Sequence, residues 1–583
     1  MINQLSWKVG GQQGEGIEST GEIFAAALNR SGYYLYSYRH FSSRIKGGHT
    51  NNKIRVSTKQ VRSIADDLDI LVAFDQETID VNFHELRQGG IVLADAKAKP
   101  AIPDESRATL YSIPFTKIAT DLGTSLMKNM VAIGASCAVL GLKPEFYSEV
   151  VEEIFGRKGK KVVENNMEAI RRGAEHFKKE GSGEIMQLAE ADGKKRMFMI
   201  GNDAIGLGAI AGGVRFMAAY PITPASDIME YLIKKLPEIG GTVIQTEDEM
   251  AACTMCIGSN YAGTRAFTAS AGPGLSLMME SIGLSGMTET PLVVVDTQRG
   301  GPSTGLPTKQ EQSDLLAMIY GTHGEIPKIV MAPSTVEEAF YDMAEAFNLA
   351  ERYQCPVIFL SDLQLSLGKQ TVEPLDFNRV SVDRGKLRRD GELPELESKE
   401  TFKRYAVTED GISPRVIPGT KNGIHHVTGV EHDETGKPSE SAANRQEQMD
   451  KRLRKLNRIS FDTPVYKQTP HQKADVLMVG IGSSRGTIEE VIPQLEENGL
   501  KVNHAQIRLL HPFPAKELKP LVESARKVVV VEQNATAQLA SIIKMNVGGA
   551  EKIENILKYD GNPFLPSDIY NGVKEIVREK TVI

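Results

Sequence analysis

Four cysteines in 583 residues, Cys137, Cys253, Cys256 and Cys355, give no framework of secreted disulfides. They are also few for a structural zinc or an iron–sulfur cluster, which usually draws four ligands from the protein. No apolar run approaches the ~20 residues that cross a bilayer, and no signal-peptide pattern opens the chain. The expectation is a cytoplasmic protein without a membrane segment. Excess positive charge is missing too. A net charge of −7 argues against nucleic acid and leaves small molecules and proteins as partners. Neither a short-period repeat nor a low-complexity tract is present.

What remains is ordinary globular composition, 41% hydrophobic and 25% charged, enough for roughly three or four domains. Residues 1–180 alternate strand and helix signals, from "LSWKV" through a glycine loop to "LDILVAF" and "GGIVLAD". Residues 181–196 read as a polar linker. Residues 197–367 alternate again, with "MFMIGNDA", "TRAFTAS", "PLVVVDTQ", "IPKIVMAP" and "CPVIFLSD" as buried strands of a parallel sheet. Residues 368–471 are too polar for a core of their own, and read either as a flexible connector or as an arm wrapped on the body or a partner. A third α/β unit covers 472–583. The fold class is therefore α/β, in three domains with a long irregular connector.

Three glycine-rich stretches follow predicted strands: "GGQQGEG" from Gly10, "GNDAIGLGAIAGG" from Gly201 and "GIGSSRG" from Gly480. Backbone N–H groups at such turns suit phosphate. None matches the dinucleotide fingerprint, and no phosphate-loop lysine motif exists. Tight packing of helix on strand is the competing reading. For Gly14 and Gly16, ahead of a clear helix, phosphate or partner contact stands level with it.

"QTEDEMAACTMCIG" also has two readings. Cys253 and Cys256 form a Cys-x-x-Cys step. As a helix, though, Glu249, Ala252, Cys253 and Cys256 share one face, where free cysteine acts as a small apolar side chain. Upstream, "AAYPITPASDIMEYL" sets two prolines around Thr223 before a helix that Ser226 or Asp227 is expected to cap. Downstream, Arg299 follows a buried strand and precedes "GGPSTG". A guanidinium there is suited to a bidentate carboxylate, with a structural salt bridge as the alternative.

At these residues the chain resembles the alpha subunit of the 2-oxoacid:ferredoxin oxidoreductases. The motifs are "GNDAIGLGAIAGGVRFMAAYPITPASDIME", "EDEMAA", "FTASAGPGLSLMMES" and "QRGGPSTGLPT". The "GGQQGEG" domain is similar to that family's gamma domain, fused ahead of alpha. "DVLMVGIGSSRG" with "VVVVEQNATAQLA" is similar to its transketolase-C-like domain. "FKRYAVTEDGISPRVIPGT" and "GVEHDETGKPSE" resemble the connector of 2-oxoglutarate-type members.

The resemblance implies oxidative decarboxylation of a 2-oxoacid with coenzyme A, most readily 2-oxoglutarate to succinyl-CoA, a tricarboxylic acid cycle step. Electrons pass to ferredoxin. It implies a pyrimidine-type thiamine-diphosphate domain over 197–367, and a separate beta subunit holding the diphosphate, Mg2+ and a [4Fe-4S] cluster in an (alpha-beta)2 heterotetramer. The chain lacks a Gly-Asp-Gly diphosphate motif, and no metal is expected on it.

Thiamine enzymes need a carboxylate beside N1′ of the aminopyrimidine, and the motif assigns it to Glu249. Burial disfavours that anion while a helix N-terminus favours it. Glu247 is the rival, unless it caps the helix or sits exposed. Thr223 and Arg299 are implied for the 2-oxo-carboxylate, with Ser303 and Thr304 as weaker contacts. Tyr220, Pro221 and Ile222 are implied to shape the cofactor pocket. Gly14 and Gly16 are weak candidates for coenzyme A or partner contact. His425, His426, Glu431, His432 and Asp433 contain metal-ligating types, which a solvated loop also explains. Pyruvate or branched-chain 2-oxoacid specificity stays open, as does a non-catalytic nucleotide-binding assembly subunit.

Overall fold

The computed structural model describes residues 1–41, 48–105, 107–180, 186–396 and 400–578. Of the linker expected over 181–196, residues 181–185 lie outside these. The chain divides into two compact units. One holds residues 1–199, 367–374 and 565–568, and the other holds 200–366, 375–564 and 569–583.

The first unit is built on an eight-stranded sheet in the order Ala108–Ile113, Leu86–Asp95, Leu68–Ala73, Gln4–Gln12, His49–Ser57, Tyr34–His40, Lys369–Val372, Met197–Ile200. The first four strands run parallel, whereas His49–Ser57 and Tyr34–His40 pair antiparallel. Two strands thus depart from the expected layout. Met197–Ile200 was expected in the second sheet, and Lys369–Val372 in the polar connector. Both are four-residue strands, three residues of the former are only half-buried, and strand partners are non-local. Short runs carry no signal of which sheet edge they complete.

The second unit carries two sheets. The larger has the order Leu509–His511, Ile329–Met331, Pro356–Asp362, Leu292–Gln298, Ala266–Ser270, Phe216–Ala219, Thr242–Gln245. It is parallel except for Leu509–His511. Every residue of Leu292–Gln298 and Pro356–Asp362 is buried, as continuous apolar runs covered on both faces require. The smaller sheet has the order Val465–Gln468, Val502–Ile507, Val476–Ile481, Lys527–Glu532, Ile553–Leu557.

"GNDAIGLGAIAGG" is mostly helix, Gly201–Ala211, rather than a loop. A Cβ on Gly208 would lie 2.3 Å from the Phe340 carbonyl, so packing against helix Val336–Tyr353 explains it.

The polar stretch after residue 374 is wrapped on its own unit. Its helix Ala442–Arg454 is followed by Lys455, and Lys451 and Lys455 place their Nζ atoms 2.6 and 2.5 Å from the fully buried Glu289 carboxylate. Lys451 also donates to the Tyr405 carbonyl at 3.0 Å. Glu351 gathers Arg384 at 2.6 Å and Arg415 at 3.4 Å in the same way. The stretch looks uncohesive in composition because its buried cations are neutralised by carboxylates of the body, Glu289 and Glu351.

Candidate active site

Four adjacent strands of the larger sheet deliver their C-terminal ends to one edge, where ligands of α/β sheets bind. Arg299 follows Leu292–Gln298, and Gly272 and Gly274 follow Ala266–Ser270. Thr223 follows Phe216–Ala219, and Glu249 follows Thr242–Gln245.

Helix Glu249–Tyr261 is capped by Asp248, which accepts the Ala251 N–H at 2.7 Å. This is the acid between the two that sequence reasoning weighed. Glu247 is exposed and does not cap. Glu249, with capping assigned elsewhere, is buried at 8% exposure and makes no ion pair among the described residues. Its carboxylate lies against Gly274: a Cβ there would fall 2.7 Å from Oε1 and 2.0 Å from Ser270 Oγ. Ser270 Oγ is buried without a hydrogen-bond partner. Ser270 and Gly274 were missed, although the helix-starting "AGPG" was their visible trace.

Further along the helix, Ala252, Cys253 and Cys256 are buried on the face of Glu249, in a core with Leu275 and Met278. Burial pushes the Cys253 thiol up to about 12 and raises Cys256 as well, so both stay protonated. Among the described residues no group of three or more His, Cys, Asp or Glu side chains is placed to hold a metal.

Arg299 is 7% exposed. Its Nη1 donates to the Thr223 carbonyl at 2.6 Å and Nη2 to the Thr304 carbonyl at 3.3 Å, while Nε has no partner. Among the described residues it forms no salt bridge, so the structural ion pair weighed above is not what holds it. Burial lowers its pKa from the ordinary value, and the charge of Asp314 opposes that. The structure thus joins Thr223, Arg299 and Thr304, but through backbone carbonyls rather than hydroxyls. Ser303 and Thr304 lie on an exposed loop. Tyr220 is exposed, and Pro221, Ile222 and Thr223 are half-buried. The following helix, Ser226–Lys235, has no side-chain cap; Ala225 takes that position, so the expectation for Ser226 or Asp227 fails. The proline turn closes instead through Ser226 N–H donating to the Ile222 carbonyl at 3.0 Å.

In the first unit, Gly16 caps helix Ile17–Arg30 with φ +78°, and its carbonyl accepts from Asn129 at 3.2 Å. Gly14, at φ +99°, faces open space. Glu15 between them accepts from Gln12 N–H and pairs with Lys128 at 2.8 Å. Glu431 binds Arg452 at 2.6 Å, Asp433 accepts from Thr435, and His432 is buried rather than solvated.

Family models match three segments: "Pyruvate ferredoxin/flavodoxin oxidoreductase" over residues 6–176, "Pyruvate flavodoxin/ferredoxin oxidoreductase, thiamine diP-bdg" over 207–451, and "Pyruvate:ferredoxin oxidoreductase core domain II" over 474–569. A 2-oxoacid:ferredoxin oxidoreductase subunit alpha from Sulfolobus sp is 33% identical over 100% of this chain and 98% of its own. The 2-oxoglutarate synthase subunit KorA of Methanothermobacter thermautotrophicus is 35% identical over 65% of this chain and 99% of its own. A solved 2-oxoglutarate:ferredoxin oxidoreductase from Magnetococcus marinus, with 2-oxoglutarate, coenzyme A and succinyl-CoA bound, is 36% identical. It superposes with a TM-score of 0.91 over 99% of this chain and 100% of that one.

Proposed function

The chain belongs to the 2-oxoacid:ferredoxin oxidoreductases as an alpha subunit with a thiamine-diphosphate-binding domain, and from that premise we propose that it decarboxylates 2-oxoglutarate oxidatively. The products are succinyl-CoA, carbon dioxide and two electrons for ferredoxin, and activity requires a beta subunit. One observation carries the site assignment. A buried carboxylate, Glu249, and a buried guanidinium, Arg299, stand at the C-terminal ends of two strands of one sheet, with two strands between them, and neither has an ion-pair partner among the described residues. Charges left unpaired in a protein interior are costly and are kept where a ligand completes them.

Thiamine diphosphate, when bound, supplies a nucleophilic carbon for the 2-oxo group and an electron sink for decarboxylation. The pyrimidine half fits this site. Glu249 is free to face a ring nitrogen, Ser270 Oγ lacks a partner, and Gly274 leaves the room a side chain would take. In this reading Glu249 holds a proton at N1′ and shares it with the ring. Arg299 receives the substrate carboxylate on its unsatisfied edge, while its bonds to the Thr223 and Thr304 carbonyls fix the plane of the fork. Thr223 then lies beside the 2-oxo group, and Tyr220, Pro221 and Ile222 form the wall that excludes water. Ser303 and Thr304 border the entrance.

No Gly-Asp-Gly motif is present for magnesium diphosphate, so the beta subunit is proposed to bring that half, with Mg2+ and the [4Fe-4S] cluster, in an (alpha-beta)2 assembly. Coenzyme A is proposed to reach the first unit at the Gly14–Gly16 turn. The test is a substrate panel on the enzyme purified with its partner subunit. Ferredoxin reduction fastest with 2-oxoglutarate supports the assignment, and a clear preference for pyruvate or 2-oxobutyrate overturns it.

A further inference from the structure

Two carboxyls behind the substrate arginine are left without a role by this account. Asp296 sits on strand Leu292–Gln298, three residues before Arg299, and is fully buried. Neither of its carboxyl oxygens receives a hydrogen bond from any donor group, nor does Oδ2 of Asp314. The group that faces the Asp296 carboxyl is the carboxyl of Asp314. Asp314 precedes helix Leu315–Tyr320, and its oxygens press on Gly272, 2.7 and 2.9 Å from the place of a Cβ.

Asp314 is also held against retreat. Its N–H donates to Gln298 Oε1 at 3.2 Å. The residues before it are fixed by Gln310 to Gln533 at 2.8 Å, by Gln312 to Asp362 at 2.9 Å, and by Gln538 to the Ser313 carbonyl at 2.8 Å. Two buried carboxyls face to face, three of their four oxygens without a donor, cannot both ionise cheaply.

We propose that Asp296 and Asp314 hold one shared proton and, as a positioning pair, regulate how strongly Arg299 grips the substrate carboxylate. The inference rests on the reading of Arg299 as the substrate's counter-ion. Burial, then the partner carboxyl, raises Asp296; burial, then Glu311, raises Asp314, and Arg299 opposes the latter. These are the charged groups that face the pair. With the proton in place, one negative charge stands behind Arg299. Once it is lost there are two, and the second competes with the substrate for the same guanidinium. Raising the pH therefore weakens substrate binding.

The experiment measures KM and kcat against pH on the assembled enzyme for wild type, Asp296→Asn, Asp314→Asn and Arg299→Lys. In wild type KM for the 2-oxoacid should rise with pH, by about tenfold for one added charge at this depth. Either asparagine leaves a single carboxyl, so the second negative charge cannot form and the wild-type rise should be lost from KM or moved to a different pH, while kcat keeps its own profile. Infrared spectra of the full chain with isotope-labelled aspartate should show a protonated carboxyl that shifts in D2O and changes frequency or disappears in each asparagine variant. A wild-type KM slope retained in both variants, or no such band, overturns the proposal. An unchanged KM in Arg299→Lys instead overturns the functional reading of Arg299, whatever the infrared result.

Discussion

Replacing Gly274 by alanine adds one methyl group and touches no ionisable atom, yet it should disable the site. The new Cβ would stand 2.0 Å from Ser270 Oγ, 2.7 Å from Glu249 Oε1 and 2.8 Å from Glu249 Cγ. Ordinary carbon contacts are ~3.5–4 Å, so at least one neighbour must move by about 1 Å. The 2.0 Å contact forces the Ser270 hydroxyl aside, and the 2.7 and 2.8 Å contacts force the Glu249 side chain to shift with it. Overpacking of this kind costs ~1–3 kcal/mol, a few degrees in Tm at most for a chain of this size. Displacing a reacting group by about 1 Å costs on the order of 100-fold in rate. The expected result is thus a folded enzyme with normal subunit association and kcat lower by about two decades. Thermal unfolding and steady-state turnover on one preparation make the comparison. A Gly274→Ala enzyme with wild-type kcat would refute the placement of Glu249 beside the chemistry.

Arg299→Lys keeps the charge but loses the planar fork, so KM for the 2-oxoacid should rise strongly; equal KM in both enzymes removes Arg299 from the site. Glu289→Gln leaves Lys451 and Lys455 buried without their counter-charge and should destabilise the second unit by ~3–5 kcal/mol in urea unfolding. Adding Lys451→Met and Lys455→Met should recover most of that loss, and no recovery would show that the cluster is not what pins the connector. Cys253→Ala and Cys256→Ala should behave as modest core substitutions and leave the iron content of the assembled enzyme unchanged, as elemental analysis would report. A loss of iron would restore the metal reading.

Much of the second unit was legible because its strands are buried on both faces. "LVVVDTQ" and "PVIFLSD" read as central parallel strands from apolar continuity alone, and their ends located the candidate site. Met197–Ile200 and Lys369–Val372 were misplaced because hydrogen-bonding partners across a sheet leave no trace in four residues. In "TEDEMAA" three acids lie in a row, and which one caps depends on where the helix starts. A shift of one residue separates cap from buried carboxylate, below what pattern reading resolves. Thr223 is implied by the motif as a substrate contact, whereas its carbonyl is what holds Arg299, and backbone acceptors are invisible in a sequence. The connector's composition hid its order for a related reason. Paired buried charges and solvated ones are the same letters.

The account depends most on Glu249, and exchange of the C2 proton of thiamine diphosphate in the assembled enzyme tests it most directly. Glu249→Gln preserves size and hydrogen bonding while removing the anion. Glu247→Gln changes an exposed acid that does not cap the helix. Quenched at short times and read by NMR, exchange should slow by orders of magnitude in Glu249→Gln and stay near wild type in Glu247→Gln. Fast exchange in Glu249→Gln, with folded and assembled enzyme, would contradict the account.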